Sequence, residues 1–508
     1  MKFGRWLGTS PCRPERDATM DTARIQAHIA EYRRGYAWLW SLIRTPAQVA
    51  ATPQAKEPLP TEQGLSLRRL KSFLVSVGAP EENLPYIHVA GTSGKGSVSH
   101  LLARILTAGG CRTGLHINPY LQLPHEKLVV DDRWITVPEL NELFNDFAHR
   151  YGLWQQAQGE FTRLSYGEAW VALTFLFYVR AAVDWGIVEC GSGGRWDASN
   201  VVRPRLALVT NIGLDHVETL GGTLESIAWH KAGIFKPGAP ALTGAGQPEV
   251  LNVLETEARK VGTDLHTVGP AGDSTRDWTF RWHARTHGGR LALTVESRFA
   301  VHRDLPMPGL APFQAANAAV AVAAADLLQA GSGLHLAEGA AAKALAGGAV
   351  AGRLEHIQTK PDIILDCAHN VPKAEALVAS LQQSWSGRRF LIITGMLTTK
   401  DAAGILAVLC RLDGDFLLTE PYVFGKSTCR PGDLAQCLPR GERHRLRHLF
   451  RDVGCALRHA LRTVEPDTVI LVTGSVYLVG EARDHWHPRP RLLEDLTVQP
   501  PVAPRRPG

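Results

Sequence analysis

The stretch Tyr86-Ile-His-Val-Ala-Gly91-Thr-Ser-Gly-Lys95-Gly-Ser97 decides the fold of this chain. Its first five residues are apolar apart from one histidine, which is typical of a short buried strand. A glycine-rich loop follows, and then a helical pattern that the pair Gly109-Gly110 ends. Because the N–H groups at the start of a helix point at an anion, a strand, a glycine loop and a helix in this order predict a phosphate-binding loop.

The residue types in this loop suit a nucleotide. Lys95 can reach the β- and γ-phosphates, and the hydroxyl of Ser97 can bind Mg²⁺. The pattern differs from the generic Walker loop, because Val89 stands at the first glycine position and Gly96 separates the lysine from the serine. A glycine-rich turn without a ligand is the alternative. The candidate nucleotide-binding residues are Gly91, Thr92, Ser93, Gly94, Lys95, Gly96 and Ser97.

Composition narrows the class of protein. The 508 residues are 45% hydrophobic and 20% charged, with a formal net charge of +6, which excludes a disordered or fibrous chain. The eight cysteines are scattered without a C-x-x-C pair, which is typical of reduced thiols. Because no apolar run reaches the roughly 18 to 20 residues of a membrane span, we expect a cytoplasmic protein that does not enter a membrane.

Strands and helices alternate along most of the chain, which predicts an α/β fold with two domains. We expect an N-terminal P-loop-type parallel-sheet ATPase domain and a smaller C-terminal Rossmann-like α/β domain. Within the first, alternating residues over 278–296 predict a β-hairpin. The predicted boundaries are an N-terminal extension with a first helix at 1–60, the ATP-binding domain at 61–351, the second domain at 352–490 and a disordered tail at 491–508.

Further motifs follow the phosphate loop in a fixed order. They are Val188-Glu-Cys-Gly-Ser-Gly-Gly-Arg-Trp-Asp-Ala-Ser-Asn200, Thr210-Asn-Ile-Gly-Leu-Asp-His216, Lys231-Ala-Gly-Ile, Gln314-Ala-Ala-Asn317, Gly352-Arg353, Asp366-Cys-Ala-His369-Asn370 and Thr473-Gly-Ser-Val-Tyr-Leu-Val-Gly-Glu481. Together with the shifted loop G-T-x-G-K-G-S, this series resembles the Mur ligase superfamily. Within it, the chain is most similar to the folylpolyglutamate synthase and dihydrofolate synthase branch.

The resemblance implies a catalytic and metal-binding set. Glu189 ends one predicted strand and His216 follows another, so both belong at the carboxyl edge of the sheet, where open α/β sheets bind ligands. By resemblance, Ser97, Glu189, His216 and Lys231 hold two Mg²⁺ ions beside ATP. The resemblance also implies that Lys231 is carbamylated by CO₂, which turns a cation into a carboxylate-like ligand. A surface lysine is the alternative for Lys231.

Other roles are also implied by the resemblance. Asn317 would approach adenine, and Arg353 would meet phosphate at the domain junction. Asp366 and His369 would contact the nucleotide from the second domain. Asp197 would contact a pterin, or would only fix the glycine turn in which it lies.

The expected activity is ATP-dependent addition of L-glutamate to a folate, or to dihydropteroate, through an acyl phosphate. We also expect a monomer that binds no nucleic acid, since the basic segment 440–451 is interpreted as a solvated helix face. Three alternatives stay open, which are a ligase for another carboxylate, an ATP-binding relative without turnover, and a P-loop kinase.

Four positions differ from the family pattern, and one of them is Ser93, which stands in the phosphate loop where asparagine is common. Tyr120 stands where the family usually has histidine, and Gly167 stands where an aromatic residue is frequent before Glu168. His230 occupies a position where glutamate is common. These changes concern the acceptor more than ATP.

Overall fold

The computed structural model describes residues 22–43, 64–157, 159–274, 276–287, 290–308, 313–348 and 350–502. Two β-sheets organise this part of the chain, one of eleven strands and one of six. This confirms the predicted α/β class with a large, parallel-rich first sheet and a smaller second one. No helix among the described residues is both long and apolar enough to cross a bilayer.

The large sheet has the strand order β11-β10-β9-β8-β7-β6-β1-β5-β2-β3-β4. The pairs from β8 to β2 are parallel, while β3–β4 at one edge and β9–β10–β11 at the other are antiparallel. The strands are β1 Tyr86–Ala90, β2 Thr113–His116, β3 Val129–Val130, β4 Arg133–Trp134, β5 Trp185–Glu189, β6 Pro204–Val209, β7 Ala241–Thr243, β8 Leu265–Pro270, β9 Phe280–His287, β10 Arg290–Ser297 and β11 Val301–Pro306. The central strands β1 and β5 are buried throughout, as expected for parallel strands covered on both faces.

Helices of the first domain cover both faces of this sheet. They are α1 Thr22–Trp40, α2 Leu65–Ser76, α3 Lys95–Ala108, α4 Val137–Gln156, α5 Tyr166–Arg180, α6 Val217–Leu220, α7 Leu224–Ala232, α8 Pro248–Val261, α9 Gln314–Ser332 and α10 Ala340–Ala346. Capping boxes begin two of them, at Thr136 with Glu139 and at Ser165 with Glu168. Helices α3 and α9 pack against each other on one face, so the phosphate loop begins on a rigid support.

The smaller sheet has the order β12-β13-β17-β14-β15-β16 and is parallel except for the edge pair β12–β13. Its strands are β12 Glu355–Thr359, β13 Asp362–Leu365, β14 Phe390–Thr394, β15 Gly414–Leu418, β16 Leu446–Leu449 and β17 Val469–Thr473. Its helices are α11 Val371–Ser384, α12 Ala402–Leu409, α13 Pro431–Cys437, α14 Val453–Thr463 and α15 Val476–Arg483. The order agrees with the Rossmann-like domain expected after residue 352.

The interpretation of 491–508 as a disordered tail is wrong for its first part. Helix α16, Arg489–Val498, follows the second domain. Leu493, Leu496 and Val502 are buried in a cluster that belongs to the first domain. The proline-rich composition of the segment concealed these leucines, whose spacing places them on one helix face. Residues 503–508 lie outside the described part.

The helix predicted for the basic segment 440–451 is also wrong. Residues Arg440–Arg445 form a short 3-10 helix, and Leu446–Leu449 form the edge strand β16. This strand is largely exposed, so its basic side chains face solvent as expected, although from a strand.

The N-terminal helix is confirmed as α1, and it is part of the first domain. Ile29, Tyr32 and Leu39 are buried in the same cluster as the leucines of α16, and α1 contacts both α4 and α16. Residues 1–21 and 44–63 lie outside the described part, and with them the rest of the predicted extension.

Candidate active site

The phosphate loop lies between β1 and α3, and the motif after β6 holds it in place. The backbone N–H of Ser93 donates to Asn211 Oδ1 at 2.8 Å, and Thr210 Oγ1 donates to the Ser93 carbonyl at 2.6 Å. Gly91 has φ +146°, and a Cβ on it would lie 1.9 Å from Thr210 Oγ1. Only glycine fits this close approach. The predicted strand–loop–helix unit is therefore present, with α3 beginning at Lys95.

Two lysines meet at one backbone carbonyl beneath the loop. Lys95 Nζ donates to the Gly91 carbonyl at 3.0 Å, and Lys231 Nζ donates to the same oxygen at 2.9 Å. Lys231 is buried, and burial together with the charge of Lys95 lowers the pKa of its ammonium to about 7. The alternative of a surface lysine is therefore wrong. The structure brings two predicted site residues together across 136 positions of sequence.

Glu189 ends β5 and lies over the start of α3. The backbone N–H of Asn118 donates to Glu189 Oε2 at 3.1 Å, and a Cβ on Gly96 would lie 3.5 Å from the same oxygen. Burial raises the pKa of this carboxyl, against the opposing charges of Lys95, Arg353 and Lys127. Glu189 therefore presents a buried carboxylate oxygen to the phosphate loop.

His216 follows β6 in the left-handed conformation, with φ +52°, at the start of α6. Its side chain stays exposed, while its neighbour Asp215 makes the contacts to the second domain. Lys400 Nζ donates to Asp215 Oδ1 at 2.9 Å, and Asn370 Nδ2 donates to Asp215 Oδ2 at 3.4 Å. Burial raises the pKa of Asp215, but the hydrogen bond and the charge of Lys400 outweigh it, so the pKa is lowered overall. Asp215 is a functional candidate that sequence reasoning missed, although it lies inside a quoted motif.

The second domain brings more positive charge to the same junction. Arg353 lies near Asp366 and Glu189, and Asp366 is fixed by the N–H groups of Leu354 and Ala368, each at 2.8 Å. His369 Nδ1 donates to the Cys367 carbonyl at 2.8 Å, so its Nε2 accepts from Lys373 Nζ at 3.0 Å. Three of the predicted residues thus lie together, on the loop between β13 and α11 and on the loop before β12.

Lys373 completes a group of cations that faces the phosphate loop. Burial lowers the pKa of its ammonium to about 7, and the charges of Lys95, Arg353 and Lys400 add to this effect. The sequence offered one signal for this residue, since it lies four positions after His369, one helical turn away. A cleft in which buried cations crowd one another favours a polyanionic ligand.

Asn317 lies beside the phosphate loop, on the first turn of α9. A Cβ on Gly94 would lie 2.3 Å from Asn317 Oδ1, and Asn317 Nδ2 donates to Gln314 Oε1 at 2.8 Å. Gln314 Nε2 in turn donates to Ser97 Oγ at 3.4 Å. The contacts of Asn317 are with the loop that holds phosphates, and its role toward adenine stays a prediction.

Asp197 is engaged by its own glycine turn. Its Oδ2 accepts from the N–H of Ser192 at 2.8 Å, and its Oδ1 accepts from the N–H and the hydroxyl of Ser199 at 3.0 and 2.5 Å. The side chain also caps the 3-10 helix Ala198–Val201. These contacts favour the second of the two interpretations, in which Asp197 fixes the turn.

A cavity of about 1760 Å³ opens next to this junction. Glu189 and Asp197 line it together with residues of the second domain such as Tyr422, Phe424 and Glu481. Helix α1 adds a wall of aromatic side chains, and Trp40 stacks on Phe424 with ring centroids 4.7 Å apart. The cavity is therefore bounded by both domains and by the N-terminal helix.

One wall of the cavity runs from Glu189 to a group of aromatic residues. Asn118 contacts Glu189 through its N–H and accepts from Lys127 Nζ through Oδ1 at 3.1 Å. Lys127 Nζ lies 6.0 Å from the ring centroid of Tyr120 and 5.9 Å from that of Trp170. Burial lowers the pKa of Lys127 to about 8, although Glu189 and Glu126 attract its charge. This wall connects the phosphate loop to the aromatic end of the cavity.

The predicted metal ligands fit only in part. Ser97 Oγ and Glu189 are hard oxygen donors at the phosphate loop, as Mg²⁺ prefers, with phosphates and waters completing the set. Across the described ranges no three side chains of His, Cys, Asp or Glu converge into a metal-binding group. A second ion between His216 and Lys231 requires an anionic oxygen on the lysine, which carbamylation would supply.

Comparison with known proteins assigns the chain to a family. Residues 89–325 match the Mur ligase middle domain, and residues 352–476 match the Mur ligase glutamate ligase domain. The folylpolyglutamate synthase of Lacticaseibacillus casei is 30% identical over 416 residues, which are 82% of this chain and 93% of that protein. The chain belongs to the folylpolyglutamate synthase/dihydrofolate synthase family. The dihydrofolate synthase/folylpolyglutamate synthase of Escherichia coli, 30% identical over 86% of this chain and 97% of its own length, agrees with this.

Solved structures of this synthase family have the same fold. The Mycobacterium tuberculosis folylpolyglutamate synthase complexed with ADP aligns with a TM-score of 0.78 and 28% identity, covering 90% of this chain and 99% of that one. A folylpolyglutamate synthase complex with AMPPCP and folate aligns with a TM-score of 0.74 and 28% identity, over 90% and 99% of the two chains. The ligase class expected from the phosphate loop and the motifs after it is thereby confirmed.

Proposed function

We propose that this chain joins L-glutamate to the carboxylate of a folate, or of dihydropteroate, at the expense of ATP. One observation carries the proposal, which is that Glu189 lies beside the phosphate loop and also lines the large cavity. An acceptor in the cavity therefore ends where the γ-phosphate of ATP would lie. Relatives that were solved with ADP, or with AMPPCP and folate, support the same pair of ligands.

The chemistry needs two bond exchanges. An oxygen of the acceptor carboxylate forms a bond to the γ-phosphorus, and the bond from that phosphorus to the β,γ-bridging oxygen breaks, which yields an acyl phosphate and ADP. The amine of glutamate then attacks the acyl carbon, the bond from this carbon to the phosphate oxygen breaks, and the nitrogen loses a proton. Phosphate leaves with the electron pair.

The chain's own groups stabilise the charge that moves. Lys95 and the N–H groups at the start of α3 would hold the β- and γ-phosphates, and Arg353 offers a forked cation from the second domain. Bound Mg²⁺, held by Ser97 and Glu189, would neutralise phosphate charge. Because the site lies between two domains, their closure would keep water from the acyl phosphate.

Lys231 has a separate role in the proposal. Two ammonium groups that share the Gly91 carbonyl repel each other, and a carbamate on Lys231 would replace this repulsion by attraction to Lys95. Its formation is balanced, since the neutral amine adds to the carbon of CO₂ and loses one proton. The carbamate oxygens, with His216, would then supply the ligands for a second Mg²⁺.

The decisive assay measures ADP release by the purified protein with tetrahydrofolate and with dihydropteroate, each with and without glutamate. We expect glutamate-dependent ADP release with at least one of the two, and a product heavier by one glutamyl residue in mass spectrometry. If no pterin acceptor supports turnover but another carboxylic acid does, the ligase class survives and the folate assignment fails. ADP release in a reaction that contains no acceptor would contradict both the ligase class and the folate assignment.

The wider expectations stay predictions. They are a monomer in the cytoplasm that binds neither nucleic acid nor a membrane. Sedimentation at equilibrium with and without ATP and acceptor tests the first, and a mass above 55.4 kDa for the particle would contradict it.

A further inference from the structure

Three tyrosine hydroxyls from distant parts of the chain meet in the wall of the cavity. Tyr36 OH lies 2.7 Å from Tyr120 OH and 3.4 Å from Tyr166 OH. Tyr36 comes from α1, Tyr120 from the loop after β2 and Tyr166 from the first residue of α5, and all three line the cavity. We call this group the tyrosine chain.

The tyrosine chain has hydrogen-bonding capacity left for a ligand. Three hydroxyls carry three protons, and its two contacts use one proton each. One O–H therefore remains to donate, and several lone pairs remain to accept. Burial raises the pKa of each of the three phenols, so all three stay neutral. A carboxylate could accept the remaining O–H but could not donate to the lone pairs, whereas the edge of an uncharged polar ring can do both.

The surrounding side chains favour a flat ligand at this place. Tyr36 stacks on Tyr32 with the rings 8° from parallel, and it meets Trp40 and Trp170 edge to face. The wall from Glu189 through Asn118 and Lys127 ends at this group. A long acceptor with its carboxylate beside Glu189 would thus extend past Lys127 to the tyrosines.

We propose that the tyrosine chain hydrogen-bonds the polar edge of the acceptor's heteroaromatic ring, which makes Tyr36 of the N-terminal helix a specificity-determining residue. This rests on the proposed function and adds to it the group that distinguishes one acceptor from another.

Tyr36→Phe tests the proposal, because it removes one hydroxyl and keeps the ring. Equilibrium binding is measured by tryptophan fluorescence with tetrahydrofolate and with p-aminobenzoylglutamate, which has the same tail and no pterin ring. We expect tetrahydrofolate to bind about 3- to 10-fold more weakly, while p-aminobenzoylglutamate changes less than about 2-fold. The KM for tetrahydrofolate should rise in the same proportion, with the KM for ATP unchanged.

Tyr178→Phe is the matched control. Its hydroxyl donates to the Ile187 carbonyl at 3.4 Å, and both residues lie outside the cavity lining, so both ligands should bind to this variant as to the wild type. Tyr120→Phe removes a second hydroxyl of the chain and should repeat the selective loss, which keeps the test valid if Tyr36→Phe does not fold.

Equal losses for both ligands, or none, would overturn the proposal and assign these hydroxyls to the packing of α1. A wild type that forms no ADP with any pterin acceptor would instead remove the proposed function. The two failures are therefore distinguishable.

Discussion

The two ends of the active-site cleft are built in different ways. The phosphate end is made of charged side chains on short motifs, such as Lys95, which follows the glycine loop after β1, and Glu189, which ends β5. The acceptor end is made of aromatic side chains from α1, α5 and two loops, and it reaches Phe424 of the second domain. The first end depends on backbone geometry at a sheet edge, and the second depends on how distant segments pack. We therefore expect a substitution at one end of the cleft to impair that end more than the other.

Lys95→Ala should give the largest effect. Removal of a charge that stabilises the transferring phosphoryl group should lower kcat by at least about 10²- to 10³-fold. The fold should stay intact, because among the described residues the Lys95 ammonium group donates to the Gly91 carbonyl alone. ADP release and thermal unfolding of the same preparation check this. Near-normal turnover by a folded variant would contradict the assignment of Lys95 to the stabilisation of the transferring phosphoryl group.

Lys231→Ala comes next, with an expected loss of about 10- to 100-fold. If the lysine acts as a carbamate, acetate or formate should restore part of the activity by entering the space left by the side chain. The wild type should also lose activity in buffer freed of CO₂ and recover it with bicarbonate, which needs no variant. An alanine variant with full activity would show that this buried lysine serves the fold alone.

Phe424→Ala tests the acceptor end. The stack with Trp40 contributes about 0.5 to 1.5 kcal/mol, so the KM for the acceptor should rise about 2- to 10-fold. The KM for ATP should change by less than this, because Phe424 lines the acceptor cavity and no charge is removed. Leu449→Ala is the control, since Leu449 is similarly exposed in the second domain and lies outside the cavity lining. An equal rise in the KM for ATP would contradict the proposal that the two ends of the cleft act separately.

The smallest effect concerns the contact between Asp215 and Lys400 at the phosphate end. The pKa of the Asp215 carboxyl is lowered in the folded chain. The pair therefore stabilises the fold fully at pH values above the pKa of an unfolded aspartate, about 4, and stabilises it less as the pH falls below that value. Compared with Asp215→Asn, the wild type should keep an advantage of about 1 kcal/mol at pH 7 and lose it progressively below pH 4. Urea midpoints at pH 7, 4 and 3 measure this, and a constant difference would contradict it.

The sequence predicted the phosphate end better than the acceptor end, for a physical reason. Gly91, Lys95 and Ser97 are fixed to one another within a single loop, and Glu189 and Lys231 occur in short contiguous motifs. Even there, Lys373 and Lys400 were missed, because only the folded chain brings them to the phosphate loop.

The acceptor end offered no such local pattern. Tyr36 and Tyr120 are 84 positions apart, and each is an ordinary tyrosine in its own segment. Only the packing of α1 on α4 and α5 makes them neighbours. The departure at Tyr120 was visible in the sequence, but its partner was not. The prediction of a disordered tail was wrong for a similar reason. The proline-rich composition outweighed Leu493 and Leu496, which are buried in the first domain.

The return of α16 to the first domain has a mechanical consequence. The chain enters the second domain near Gly352 and leaves it again before Arg489, so this domain is tethered at both of its ends. Two tethers behave like the two pins of a door hinge, which permit rotation about one line and resist twisting about others. Opening and closing of the cleft should therefore follow a single axis, along which the Trp40–Phe424 stack parts and re-forms.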